Sequence, residues 1–420
     1  MNLPKEKRAP VNQKPFLNHA SQYTDPMPSL RCFSPALSLT EILQHPFSNN
    51  DEPVFVYHPE KLHRSVRCFI ENFPGTVGYS VKANCTPAIL QDLYRAGIRL
   101  FDAASIPEMN LIFGALSAWK DAELSFSNAC RKNPHITPAY AMGVRHFAID
   151  SLNELEKLLS HLSPNRETIV PVRIKAPFYE NLFNQPHKFG VAFEEARSLL
   201  RHVHRAGFTP ALTFHVGAFS LNPKSYADSL DMCLALIQDA ENEGIDIDYI
   251  NMGGGYPVDG VVEDAPKLAV FLETIASYRK RIPQKVGFMC EPGRALVADS
   301  QSLLVTVLGV KHHENAVYIS DGGEHGNLRE YHQAVKNVHI PFSLIPKGTS
   351  RLIARDNKLT HYRLYGFSCD CDMVPFTLPL PPTLVPGDRI LLHQMGAYSS
   401  VQNTRFNGNG VFNLMFVERA

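Results

Sequence analysis

Between residues 77 and 293 the chain repeats one alternation eight times: a short β-rich run, then a stretch with helical spacing. The runs are VGYSVKA (77–83), IRLFDAA (98–104), LSFSN (124–128), RHFAID (145–150), TIVPVRI (168–174), LTFHVG (212–217), IDYINMGGG (247–255) and VGFMCEPG (286–293). Helix signals lie between them. Pro87 follows Thr86 at a first turn, and Gly97 closes that segment. Ser151 and Glu154 have capping-box spacing at the head of SLNELEKLLSHL, and Gly244 closes the long periodic stretch 225–244. Eight strand–helix units predict a TIM-like (β/α)8 barrel of the α/β class, although a doubly wound open sheet fits the same alternation.

In such a barrel the functional groups gather where the parallel strands end. Each run here ends in a polar, charged or glycine-rich group: Lys82, Asp102, Asn128, Asp150, Arg173, His215, Gly253–Gly255 and Glu291. A turn accounts for any one of these. Eight together describe a mouth lined with chemistry.

Beyond residue 300 the pattern changes. SLLVTVLGV, AVYISD, HYRLYGFSC, DRILLHQMG and VFNLMFVE are β-like with no helical stretches between, so an all-β barrel or sandwich is expected over 301–420. PFTLPLPPTLVPGD carries five prolines and must be a loop or a sheet edge. The expected division is a flexible tail over 1–30, a segment packing on the β domain over 31–52, the barrel over 53–300 and the β domain over 301–420.

Lys plus Arg number 41 and Asp plus Glu number 41, which excludes the basic excess that nucleic-acid or anionic-membrane binding needs. The longest apolar run, Leu303–Val310, is far short of a membrane span, and the basic N-terminus has no apolar segment behind it to make a signal peptide. Eight cysteines are scattered without a framework, which reads as free thiols in a cytoplasmic protein. Cys369 and Cys371 form C-x-C without a second pair at zinc spacing, so no metal site is expected.

Lys82 closes an apolar run, where its charge is costly to bury unless something pairs with it or removes it. A lysine at a barrel mouth can form a Schiff base. Pyridoxal phosphate needs such a lysine, an acid for its pyridine nitrogen and a phosphate cradle. Lys82, Glu291, Gly253–Gly255 and Arg294 supply that set, and His215 is placed to stack on a ring. Taken singly, the glycines could be a tight turn, EPGR a salt-bridged turn and His215 a satisfied core histidine.

The stretches PVFVY, YSVKAN, FDAASIPE, SNACRK, HKFG, FHVG, NMGGGYP, CEPGR, SCDCD and MGAYSSVQNTRFNG come in the order and spacing of the ornithine/diaminopimelate/arginine decarboxylases, a pyridoxal-phosphate family with an alanine-racemase-like barrel. The chain resembles that family from Ser38 to Glu418. The resemblance implies that Lys82 holds the cofactor covalently, that Glu291 pairs with the pyridine nitrogen and that His215 stacks on the ring. It implies that Gly253, Gly254, Gly255, Arg294 and Tyr398 bind the phosphate, with Asp102 and Arg173 beside the cofactor. Cys369, as proton donor, and Asp370, as reader of the substrate's distal end, are expected to come from the second subunit of a head-to-tail homodimer. Lys188 and Asp372 are expected to pair across that interface. An acid opposite the pyridine nitrogen favours decarboxylation, because a protonated ring is the fuller electron sink. The family's racemases carry an arginine there. A catalytically silent homologue that binds a partner is the reading from a different class.

Three places depart from the family pattern. HVGAFS puts Ala218 where a serine usually helps hold the phosphate, a hydrogen bond worth roughly 1–3 kcal/mol, with Ser220 two positions late. GFSCDCD lacks the usual proline and is one residue short. SDGGEHGNLREYH is followed by Gln333 and Ala334, with no acid there, where ornithine-type enzymes bind the distal amine, but has Arg329 eight residues after Asp321, where diaminopimelate-type enzymes bind a distal carboxylate. Asp370 for an amine and Arg329 for a carboxylate, with Tyr398 alongside, imply a diamino acid or a carboxylated diamine derivative as substrate. The alternatives are diaminopimelate, ornithine or lysine themselves. The departures suggest a specialised branch in polyamine or siderophore synthesis.

Overall fold

The structure is a computed structural model that describes residues 30–45, 51–116, 121–183, 188–352, 359–410 and 412–417. The expected tail over 1–30 lies, but for its last residue, outside the described residues, as does His187 of the HKFG stretch.

Eight parallel strands close into a barrel in chain order: Thr76–Ser80, Leu100–Asp102, Glu123–Phe126, His146–Phe147, Ile169–Arg173, Thr209–Thr213, Tyr249–Asn251 and Gly287–Cys290. The last strand returns to the first through Met289 opposite Thr76 and Cys290 opposite Val77. Closure excludes the open-sheet alternative. The helices between them begin and end near the expected signals. Pro87–Arg95 starts on its proline, and Gly97 then takes a left-handed φ of 116°, which a side chain would resist. Leu152–His161 is capped by Ser151, whose hydroxyl accepts from the Glu154 N–H.

Successive residues of a strand point to opposite faces, so positions two or four apart share one. Leu100, Ile169, Ala211, Tyr249 and Met289 pack together as an apolar layer drawn from five strands. Counting forward by two or four from four of them gives Asp102, Arg173, Asn251 and Glu291. The polar groups at the mouth therefore stand on the same inward faces as the apolar layer beneath them.

A second sheet of nine strands lies outside the barrel. Its main path runs Leu30–Leu37, Phe412–Val417, Val54–Tyr57, Gln301–Lys311, Ala316–Ile319, Thr360–Tyr365 and Met373–Leu380, with Arg389–Leu392 joining Gln301–Lys311 to Phe342–Ile345. The proline-rich run forms the edge strand Met373–Leu380, with Pro375 and Pro379 inside it.

Val54–Tyr57 falls in the range read from sequence as barrel, yet it pairs in this sheet with Gln301–Lys311 and Phe412–Val417. All four of its residues are buried. Val54 and Val56 face a small core with Ile42, Leu43, Leu304 and Met415, while Phe55 and Tyr57 face the main core. The helix Leu39–Gln44, closed by a full capping box between Ser38 and Glu41, covers the small core. Among the described residues no helix is long and apolar enough to cross a membrane.

Candidate active site

Lys82 does not sit on a strand. It follows Thr76–Ser80 in a single 3₁₀ turn, Val81–Ala83, whose shape is fixed from outside the barrel. The Ala83 carbonyl accepts from the Tyr398 N–H at 2.9 Å. The Asn84 amide donates to Gln301 Oε1 at 2.9 Å and to the Gly396 carbonyl at 2.8 Å. The β domain thus clamps the lysine's turn. The Lys82 side chain is reachable from the barrel mouth although protein surrounds it. Its pKa is raised, first by Tyr398 and then by Asp102 and Glu291, against burial and the Arg173 charge. A depressed pKa, the usual route to a nucleophilic lysine, is therefore not what this cluster gives; its surroundings favour the ammonium.

Glu291, just past its strand, is buried. Its Oε1 accepts from Ser127 Oγ at 2.9 Å and Ser125 Oγ at 3.1 Å. Burial and then the Asp102 carboxylate push its pKa up to about 8, while bonds from Ser127, Asn251 and Ser125 hold it back. Asp102 accepts from the Ser127 N–H at 2.9 Å, and burial raises its pKa against the pull of Lys82. Two acids in one dry site cannot both ionise freely, so this pair retains a proton that a base can share.

His215 Nδ1 accepts from the Gly217 N–H at 3.1 Å, which leaves the ring proton on Nε2. Burial, Lys82 and Arg173 hold its pKa well below the ordinary value, so it presents a neutral ring. Arg173 stands over Phe189, with the Asp150 carboxylate nearby holding the Gly190 N–H. Asn128 is the exception among the strand ends. It caps its own turn, accepting from the Cys130 N–H and, through its carbonyl, from Arg131.

The glycine run forms a cradle. A Cβ on Gly253 would lie 2.6 Å from the Phe214 carbonyl, and one on Gly255 would lie 2.4 Å from the Gly217 carbonyl. Both have left-handed φ values, 59° and 101°. A Cβ on Gly293 would meet Ala83 at 2.9 Å and the Tyr398 hydroxyl at 3.4 Å. The backbone comes close because nothing projects from it, as an anion bound by main-chain N–H groups requires. Arg294 lies beside the cradle, against the rings of Phe183 and Tyr398. A lysine at the mouth, a buried acid, a neutral histidine and a glycine cradle together fit pyridoxal phosphate.

Sequence reading missed several groups. Ser125 and Ser127 hold Glu291, and their two-residue spacing in LSFSN was the available signal. Glu330 is buried and pairs with Arg294, while its Oε2 has no hydrogen-bond partner among the described residues. Burial works against both charges, and the contact with Glu330 more than restores the guanidinium. Ser220 is buried and its hydroxyl is engaged with Ser225 and Asn222, so it does not replace the missing serine at Ala218.

Cys369, Asp370 and Arg329 are exposed. Cys369 and Asp370 lie on the loop Gly366–Asp372 of the β domain, with Asp370 bonded to His325 at 2.9 Å. Asp372 is buried within its own chain and accepts from the Ser368 N–H, and Lys188 lies over the Phe189 ring.

The fold and this mouth define a pyridoxal-phosphate enzyme of the barrel type. The family model for the pyridoxal-dependent decarboxylase pyridoxal-binding domain matches residues 59–298, and the chain belongs to that family of amino-acid decarboxylases. It is 28% identical over 359 residues to the lysine/ornithine decarboxylase of Selenomonas ruminantium, covering 85% of this chain and 87% of the relative. It is 26% identical over 378 residues to the diaminopimelate decarboxylase of Pseudomonas fluorescens, covering 85% and 86%. The crystal structure of lysine decarboxylase from Selenomonas ruminantium superposes with a TM-score of 0.75 at 26% identity, covering 91% of this chain and 96% of that one.

Proposed function

We propose that the protein removes the α-carboxylate of a diamino acid or a carboxylated diamine derivative. Lys82 is the attachment point for the cofactor and Glu291 stands at the pyridine nitrogen. His215 lies against the ring, and Asp102 and Arg173 flank it. Gly253, Gly254, Gly255, Arg294 and Tyr398 hold the phosphate. The cofactor, when bound, supplies the sink for the electron pair left by departing carbon dioxide. The observation that carries the reading is Glu291. Its proton, retained up to about pH 8 by burial, sits where a pyridine nitrogen can share it.

Two observations bear on the substrate tail. Glu330 offers a buried carboxylate oxygen with no partner among the described residues, which suits a distal amine and supports ornithine or lysine. Arg329, next in the chain and exposed, is the cation available to a distal carboxylate, which supports diaminopimelate or a carboxylated derivative. Cys369 donates a proton and Asp370 reads the amine across a head-to-tail homodimer. Exposed Phe367, Met373 and Phe406 around their loop suit such an interface. Products of this kind would feed polyamine or siderophore synthesis.

The test is a screen of protein loaded with pyridoxal phosphate against carboxyl-labelled ornithine, lysine, arginine, diaminopimelate and carboxylated diamines. Release of labelled carbon dioxide from one of them is expected. A yellow, borohydride-sensitive protein that releases none would overturn the reaction, and an Arg329→Ala variant with unchanged KM would remove the distal-carboxylate reading.

A further inference from the structure

His325 ends a short turn, Gly323–His325, whose root is deeply held. Asp321 is fully buried and accepts from the N–H groups of Gly323 and Asn327 and from the Asn327 amide. Three loops converge on the histidine. Its carbonyl accepts from Thr404 through both the N–H at 3.1 Å and the hydroxyl at 2.8 Å. Its ring stacks on Phe406, with centroids 4.1 Å apart and planes at 25°. Its Nε2 meets Asp370 Oδ2 at 2.9 Å. The other oxygen of Asp370 accepts from the Cys371 N–H at 2.8 Å, and the Asp370 N–H donates to Ser368 Oγ.

The carboxylate of Asp370 is thus oriented at both oxygens, one end by its own loop and the other by an imidazole fixed on two further loops. The imidazole also holds its pKa below the usual carboxylate range, ahead of the Cys371 N–H, so the acid stays ionised where a cation must be met. The charged and titratable neighbours of this contact are few. Glu324 precedes His325 and lies 3.9 Å from His332, Arg405 precedes Phe406, and Asp372 is buried behind the loop.

We propose that His325 is a positioning residue that aims Asp370 at the distal amine of a substrate in the adjoining subunit's site. The inference rests on the reading of Asp370 under the proposed function and adds to it the group that sets its aim. A surface aspartate free to rotate would spread its charge over many rotamers. One pinned between an imidazole and a backbone N–H meets an ammonium in a single geometry, with less ordering left to do on binding.

The experiment uses the dimeric enzyme loaded with pyridoxal phosphate and two probes, cadaverine and pentylamine, which differ by one terminal amine. Calorimetry gives the affinity of each for wild type, His325→Phe, His325→Gln, Asp370→Asn and the double variant His325→Phe/Asp370→Asn. Phenylalanine keeps the stack on Phe406 and removes the donor, whereas glutamine keeps a donor. Wild type is expected to prefer cadaverine, and His325→Phe to lower that preference roughly tenfold, the low end for a hydrogen bond to a charged group. Pentylamine affinity should not change, which a merely structural role would not spare. Asp370→Asn should lower the preference at least as much, the double variant no further, and His325→Gln should recover most of it. If Asp370→Asn lowers the preference and His325→Phe does not, the positioning role is overturned while the reading of Asp370 stands. If Asp370→Asn has no effect, or wild type shows no preference, both fall. If His325→Phe does not fold, a His325→Ala enzyme with less than half the wild-type preference supports the inference. Under that condition full wild-type preference in a His325→Ala enzyme overturns it.

Discussion

Glu330 and Arg294 form a buried ion pair at the edge of the glycine cradle, while Arg329, one residue away, faces solvent. One step along a 3₁₀ turn separates a carboxylate that neutralises the cradle's cation from a cation with no such duty. In the protein without cofactor, Arg294 depends on Glu330. With a phosphate dianion in the cradle it has a second anion.

Removing one member of a buried pair leaves the other charge uncompensated, at about 3–5 kcal/mol. Glu330→Gln should therefore lower the melting temperature of the cofactor-free protein. Loading with pyridoxal phosphate should recover much of the loss, because the phosphate becomes the partner of Arg294. Calorimetry with and without cofactor checks this, and an equal loss in both forms would show that Arg294 does not meet the phosphate.

Much of this site could be read from the chain because Asp102, Arg173 and Glu291 keep a period of two with the apolar residues beneath them, at the ends of recognisable runs. Lys82, Asp102, Arg173, His215, Glu291 and the glycines are all found where strand ends converge. What escaped has the opposite character. Glu330 is one acid in LREYHQ, and only its burial against Arg294 sets it apart from Glu324. Val54–Tyr57 is four apolar residues whose sheet partners are Gln301–Lys311 and Phe412–Val417, far along the chain. A run buried on both faces carries no alternation to say which sheet it joins. Lys82 was placed at the right end of the right run but not in its 3₁₀ turn, because that turn is shaped by Tyr398 and Gln301.

Glu291 makes the stability of the cofactor-free protein depend on pH. Its folded pKa is about 8 and its ordinary value 4.5. Between these limits the folded state binds more protons than the unfolded one, so stability falls as pH rises. Urea unfolding at pH 5.5 and pH 8 should show the lower stability at pH 8, and Glu291→Gln should flatten that difference. The same slope in wild type and variant would place the titrating proton elsewhere.

Lys82 has the reverse consequence for loading. Only the free amine bonds to a carbonyl, and Tyr398 with Asp102 and Glu291 keeps the ammonium favoured. The initial rate of pyridoxal phosphate uptake, followed by visible absorbance, should rise with pH from 7 to 9, by up to roughly tenfold per unit while the amine is mostly protonated. Asp102→Asn removes a carboxylate that favours the ammonium and should shift the profile to lower pH. A flat profile in wild type would mean that release of the lysine's proton does not limit uptake.

The shared active site can be tested by mixing two inactive chains. Lys82→Ala removes the proposed attachment point and Cys369→Ala the proposed proton donor. If each site takes its lysine from one chain and its cysteine from the other, a mixed dimer has one site lacking both groups and one with both intact. Random exchange of equal amounts makes half the dimers mixed, so roughly a quarter of the wild-type activity should return. If both groups instead serve the site of their own chain, every site in the mixture is defective and nothing returns. Subunit exchange, shown by mass spectrometry of differently tagged chains, makes either result decisive. The exposed positions of Cys369 and Asp370 on a β-domain loop favour recovery.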